Sequence, residues 1–267
     1  MYRGETISGM CLINFAYQRE GKYKLVLAAN RDEFYGRPTE SASFWEDHPE
    51  ILAGRDLEQM GTWMGVTKSG RFAALTNYRN PAEKQAGKAS RGNIVKDFLA
   101  GSDAPGDFLE ALHKKKDDYQ GFNIIVGTVN DLFYYSNYDP VIRKLDPGIY
   151  SLSNALLDTP WPKTVRGKAG ISACTGNDAE DTMHECLFKV LGDEERANDA
   201  DLPDTGVPLE WERSLSPVFI KRPEYGTRAS TIMTVDSNNG IMFIERTFEE
   251  GEFKLEKRFF FTAGQEE

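Results

Sequence analysis

CLINFAY (residues 11–17) and KLVLAA (24–29) decide how this chain folds. The first run is apolar and rich in strand formers, and the second carries apolar side chains at every position from Leu25 to Ala29. Unbroken apolarity over so short a stretch predicts a strand covered on both faces, as in a layered sandwich. A turn around Glu20-Gly21 would join the two runs as an antiparallel hairpin.

Working outward, the same pattern recurs. TWMGVT (62–67) and RFAALT (71–76) flank a Ser69-Gly70 turn, and FNIIVGT (122–128) and LFYYSN (132–137) flank Asn130-Asp131. STIMTV (230–235) and IMFIERTF (241–248) form a last hairpin, with a final strand from Phe253. Helical spacing appears at 92–100, at 106–115 and after Asp178, where Met183, Leu187 and Leu191 recur on one stripe. Another helix opens at Trp161-Pro162, behind Asp158-Thr159. Hairpins at both ends thus bracket helices in the middle, an α+β arrangement. The basic stretch 80–92 and the acidic stretch 192–208 read as solvated connections.

Composition narrows the function. Of 267 residues, 40% are hydrophobic and 28% charged, the balance of a globular chain long enough to bury a full core. The net charge of −10 opposes polyphosphate, so nucleic acid and anionic membrane surfaces are poor partners. Cys11, Cys174 and Cys186 are an odd count in a chain that needs no staples, which points to a reducing compartment. The opening ten residues lack the apolar core of a secretory signal, and no apolar run reaches the ~20 residues of a membrane span. A cytoplasmic protein is expected.

Cofactor motifs are missing. His48, His113 and His184 are scattered, and no HExxH pair, CxxC pair, EF-hand loop, GxGxxG or Walker loop occurs, so neither a metal nor a cofactor is expected. His184 and Cys186 lie two apart on the predicted helix, facing different sides, and read as ordinary core and surface residues beside Cys174. GTWMG (61–65) fits a strand with a close backbone approach better than a phosphate cradle.

What remains is Cys11, directly after Met10 at the head of a strand. A cysteine at a chain's own N-terminus carries an α-amine with a pKa of ~7.7–8.0, which can take the thiol's proton. An internal cysteine has only a non-basic amide there. The chemistry therefore requires loss of Met10, either by a translation start at Met10 followed by trimming or by cleavage of a leader. Position alone favours reading Cys11 as a buried strand cysteine without chemistry.

From Met10 onward the chain resembles the NRDE family, also called the transport and Golgi organisation protein 2 family. Met10-Cys11, LAANRDEFYGRP (27–38), GTWMGV, ALTNYRNP (74–81), GFNIIVG, YSLSNALLDTPWPK (150–163) and YGTRASTI (225–232) carry the resemblance, in order along the chain. It implies a four-layer αββα sandwich of the N-terminal nucleophile hydrolase type, in one domain over residues 10–267 with residues 1–9 as a leader outside it. Within that superfamily the family is most similar to the choloylglycine and penicillin V acylase branch, cysteine enzymes that cleave linear amides.

The resemblance implies Cys11 as nucleophile and Asn77 as donor to an oxyanion. Asn154 would position the α-amine or substrate, and Arg228 would polarise the site or clamp a carboxylate. Asp32 would hold the α-ammonium with Arg31 as its partner. Read without the resemblance, residues 30–33 make turn and salt-bridge chemistry, the two asparagines are strand-end turn residues, and Arg228 is a buried ion pair. The function expected is a cysteine hydrolase of a linear amide, with a small-molecule amide or acyl ligand. The alternative is a non-catalytic relative working in Golgi organisation, trafficking, or lipid or haem handling through the same pocket. Cys11 followed by Leu12, and the sparse histidines, give haem little support.

Overall fold

The structure, a computed structural model, describes residues 9–18, 21–83, 87–176 and 179–265. Residues 1–8 of the expected leader, Glu20 of the expected turn and Asp178 before the expected helix lie outside the described residues.

Among the described residues the chain runs β1 (Met10–Tyr17), β2 (Tyr23–Phe34), β3 (Thr39–Phe44), β4 (Ile51–Asp56), β5 (Met64–Thr67) and β6 (Arg71–Asn77). Helices α1 (Gly92–Ala100) and α2 (Pro105–Lys114) follow, then β7 (Phe122–Thr128), β8 (Leu132–Ser136), β9 (Arg143–Lys144) and β10 (Gly148–Leu152). Next come α3 (Pro162–Cys174), α4 (Glu180–Leu191) and α5 (Leu209–Leu215). The chain closes on β11 (Tyr225–Asp236), β12 (Gly240–Glu249) and β13 (Glu252–Thr262).

The strands form two antiparallel sheets, one ordered β10-β1-β2-β11-β12-β13 and the other β3-β4-β5-β6-β7-β8-β9. Three apolar layers hold them. Between the sheets, Ile13, Phe15 and Leu27 pack with Val66, Ala74 and Ile125. On the outer face of the first sheet, Leu12, Val26 and Ala28 meet Ile171, Met183 and Leu187 of α3 and α4. On the outer face of the second, Ala73, Leu75 and Ile124 meet Ile94, Phe98 and Leu109 of α1 and α2. Alternate residues of β1 and β2 thus enter two different cores, which is why those runs carry no polar alternation. Burial of each large apolar side chain contributes about 1.5–3 kcal/mol. The result is a four-layer αββα sandwich.

GTWMG is a site of close approach. A Cβ on Gly61 would lie 2.7 Å from the Gly92 backbone, and one on Gly65 would lie 2.9 Å from Leu99 Cδ1. Sequence patterns missed β3, β4, β9, β10 and α5. In TESASF of β3 only Ala42 is buried, so no periodicity marks it.

Three readings need correction. Residues 30–33 are not a turn: β2 continues to Phe34. Cys174 and Cys186 are not independent core and surface side chains but a disulfide joining α3 to α4, leaving Cys11 as the free cysteine. The basic stretch is not merely a solvated connection, because Lys88, Ser90 and Arg91 line the main cavity.

Candidate functional site

Continuation of β2 through the tetrad divides its side chains by strand alternation. Asn30 and Asp32 turn toward the helix layer with Val26 and Ala28, while Arg31 and Glu33 turn between the sheets with Leu27 and Ala29. In the β1–β2 register Cys11 stands opposite Arg31 and Met10 opposite Asp32. The thiol therefore faces the inter-sheet side at the end of the sandwich. There it lines a cavity of about 600 Å³, together with Arg31, Glu33, Asn77, Arg91 and Arg228. Phe248 and Leu255 add an apolar wall.

Cys11 is buried, and burial pushes its thiol up to about 12. The Asp32 charge adds to this rise, and the Arg31 guanidinium and the Asp32 backbone N–H oppose it. Arg31 lies 3.9 Å from the Glu33 carboxylate and 3.3 Å from the Thr39 hydroxyl. Arg91, largely buried, donates to the Gly121 carbonyl at 3.0 Å, and burial pulls its guanidinium down to about 10.

Asn77 ends β6 and donates Nδ2 to the Gly9 carbonyl at 3.0 Å. Asn154 does not line the cavity; it donates Nδ2 to the Asn77 carbonyl at 2.9 Å and so fixes the backbone that carries Asn77. The Ser153 hydroxyl lies 3.0 Å from the Cys11 carbonyl and 3.1 Å from Asn154 Oδ1, one proton serving two acceptors. Among the described residues Arg228 makes no ion pair. Its Nη1 fans across the carbonyls of Phe34, Tyr35 and Arg37 at 2.9 to 3.1 Å and braces the turn after β2.

Asp32 is fully buried on the opposite side of the strand. Its Oδ1 accepts from the Thr227 hydroxyl at 2.7 Å, while Oδ2 has no partner among the described residues. Burial raises its carboxyl well above the usual range, and Lys163 is its strongest opposing charge. Lys163, at the start of α3, is 2% exposed with no partner for Nζ among the described residues, and burial lowers its ammonium. Tyr225 completes this side: its hydroxyl accepts from the Met10 amide at 2.8 Å and donates to the Asp32 carbonyl at 3.2 Å.

Cys11, Arg31, Asn77 and Arg228 are thus brought to one cavity, which Asp32 borders from the strand between Arg31 and Glu33 with its carboxylate turned to the helix side, and Asn154 stands behind it. Sequence reasoning passed over Ser153, Lys163, Tyr225 and Thr227. All four lie inside stretches it had quoted, 150–163 and 225–232, but nothing local marked them as site residues. Among the described residues no cluster of His, Cys, Asp and Glu is arranged to hold a metal ion, and no helix is long and apolar enough to cross a membrane.

Two packed antiparallel sheets between helical layers, with Cys11 near the head of a strand at the end of the sandwich, define an αββα protein with a cavity-lining thiol. The chain belongs to the Transport and Golgi organisation 2 family, whose model matches residues 10–250. A Transport and Golgi organization 2 homolog of Mus musculus is 36% identical over 263 residues, 89% of this chain and 93% of that protein. Transport and Golgi organization protein 2 of Drosophila melanogaster is 32% identical over 89% of this chain and 92% of its own. Among solved structures, a Caenorhabditis elegans ortholog of N-acylethanolamine-hydrolyzing acid amidase is similar at a TM-score of 0.42 and 12% identity, covering 84% of this chain and 92% of its own. A mutant conjugated bile acid hydrolase from Clostridium perfringens is similar at 0.39 and 12%, over 95% and 89%. Neither likeness decides the chemistry.

Proposed function

We propose that this chain, once it begins at Cys11, is a cysteine hydrolase of linear amides. The observation that carries the reading is the pairing of a cavity-lining thiol with an amide donor, Asn77 Nδ2, that already holds a carbonyl oxygen at 3.0 Å. In the reaction the Cys11 S–H bond breaks as the α-amine takes its proton, and an S–C bond forms to the substrate carbonyl. The carbonyl electron pair moves onto oxygen, where Asn77 stabilises it. Collapse breaks the C–N bond, and the leaving amine takes the proton from the α-ammonium. Water then hydrolyses the thioester to a carboxylic acid and the free thiol. Asp32 would hold the α-ammonium between steps, Arg31 would favour the thiolate, and Asn154 and Arg228 would keep Asn77 and the β2 turn in place.

A second reading rests on the state of the thiol while Met10 is attached. Pushed up to about 12, it is inert, and a chain that keeps its leader would use the cavity only to bind. Such a role would accord with the Golgi organisation in the relatives' names, and lipid or haem handling through the same cavity belongs to this reading. Intact mass of the purified protein and acylation by a panel of activated amides, against Cys11→Ala, separate the two. Residue 11 at the terminus with a Cys11-dependent acyl adduct supports hydrolysis; a retained leader and no adduct on any amide refute it.

A further inference from the structure

Helix α3 packs on β1, and its start lies by Met10: Arg79 sits 4.6 Å from the Trp161 ring and donates to the Met10 sulfur, and Met10 stands opposite Asp32. Lys163 is 2% exposed and Asp32 is 0% exposed, yet Nζ of one and Oδ2 of the other have no hydrogen-bond partner among the described residues. Each is the other's strongest charge neighbour. A buried pair held short of contact is costly, because each ion loses its water without gaining a close partner. Met10 stands opposite Asp32, and on the hydrolase reading the α-amine left at Cys11 is the cation that this carboxylate would hold.

We propose that Lys163 is a positioning residue that keeps the Cys11 α-amine free of its proton by competing with it for Asp32. This rests on the hydrolase reading above and adds the group that makes its base available. One carboxylate in a dry site cannot hold two ammonium ions at full strength, since each disfavours the charge on the other. With Asp32 alone, the amine would be locked as an ammonium and could not accept the thiol's proton. Around Lys163 the other charged groups are Arg79 beyond β6, Glu212 of α5 and Cys11 of β1. Around Asp32 they are Arg31 and Glu33 of β2, Cys11 of β1 and Tyr225 of β11. Arg79 is neutralised by Glu212 at 2.7 Å, and Arg31 and Glu33 face the other side of the strand. Lys163 is left as the cation that decides the amine's state.

The test reads the amine directly and needs no turnover. Chains that begin at residue 11 are prepared by removing a cleavable leader and carry Cys11→Ala, so that no thiol interferes. Competitive acetylation with acetic anhydride across the neutral pH range, followed on the N-terminal peptide by mass spectrometry, gives the amine's midpoint. The parent midpoint should fall below the ~7.7–8.0 of an ordinary α-amine. Lys163→Met should raise it by about one pH unit, a tenfold loss of free amine at fixed pH, and Lys163→Arg should leave it in place. A parent midpoint at or above the ordinary value overturns the proposal. So does an unmoved midpoint in Lys163→Met with native near-ultraviolet circular dichroism. Should that variant fail to fold, Asp32→Asn is read instead: it must lower the midpoint further, and no change is refuting. Absence of acyl adducts on the Cys11 chain would sink the hydrolase reading while leaving the midpoint intact, so the two failures are distinguishable.

Discussion

Asn77 holds the carbonyl oxygen of Gly9 at 3.0 Å, so the residue two places ahead of Cys11 occupies the donor that an amide substrate would need. On the hydrolase reading, the leader end and a substrate would compete for one group. With Met10 buried and its amide bonded to Tyr225, the start of β1 is built into the fold on both sides of the strand.

The thiol of the unprocessed chain should be nearly inert. Held at about 12 by burial and the Asp32 charge, it is thiolate to on the order of 10⁻⁵ at pH 7. Alkylation by iodoacetamide should then rise about tenfold per pH unit through the neutral range. A chain that begins at Cys11 should react at least about 100-fold faster at neutral pH. A rate plateau near neutrality in the unprocessed chain would contradict this.

Asn77→Ala in the chain that begins at Cys11 should slow acylation by roughly 10²–10³ while changing substrate binding little, because the donor acts on charge that develops in the transition state. Burst kinetics with an activated amide measure it. A loss confined to KM would assign Asn77 to binding instead.

Met10 packs with Val207, Leu215, Ile220 and Tyr225, and Arg79 Nη2 donates to its sulfur at 3.3 Å. In the unprocessed chain Met10→Ala should cost about 2–5 kcal/mol by urea unfolding. A cost below about 0.5 kcal/mol would mean that the cluster closes without it.

Asp32→Asn should show a pH-dependent defect. Burial raises the Asp32 carboxyl, so its proton stabilises the fold fully below the unfolded-chain pKa, and that contribution is lost as pH rises through the folded value. Burial lowers Lys163, so the folded state releases a proton that the unfolded chain keeps, and stability grows as pH rises above the folded Lys163 value. The variant leaves Lys163 as a buried charge without its carboxylate, costing roughly 3–5 kcal/mol at neutral pH. The deficit should shrink toward alkaline pH as Lys163 loses its proton. A deficit constant from neutral to alkaline pH argues that the pair is not coupled.

Reduction should destabilise the α3–α4 edge. The disulfide joins cysteines separated by 12 positions, and closing a loop of that size contributes about 3 kcal/mol in the unfolded-chain entropy picture. Dithiothreitol should lower the thermal midpoint of the wild type and have no effect on Cys186→Ser. Equal midpoints with and without reductant would show that the pair does not support the fold.

Much of the fold was legible because its signals are local. Residues 11–17 and 24–29 announce a doubly covered hairpin, and the stripe of Met183, Leu187 and Leu191 announces α4; all three side chains are fully buried. Strands such as β3, with one buried residue among polar ones, carry no such signal. Of the site, the residue types were legible but not their partners. Arg228 read as one half of an ion pair, and the structure turns it onto three backbone carbonyls. The disulfide was hidden for the same reason: an odd cysteine count says nothing of which two meet.

By itself the sequence determined the layered sandwich, the family and the cysteine at the head of β1, since unbroken apolar runs, helical spacing and ordered motifs are properties of neighbouring residues. Only the tertiary structure decided that Lys163 and Asp32 are buried and feel each other's charge, that Asn154 serves the backbone of Asn77, and that Cys174 meets Cys186. Those contacts join segments far apart in the chain, and their geometry comes from how two sheets and their helices stack, which no local pattern encodes.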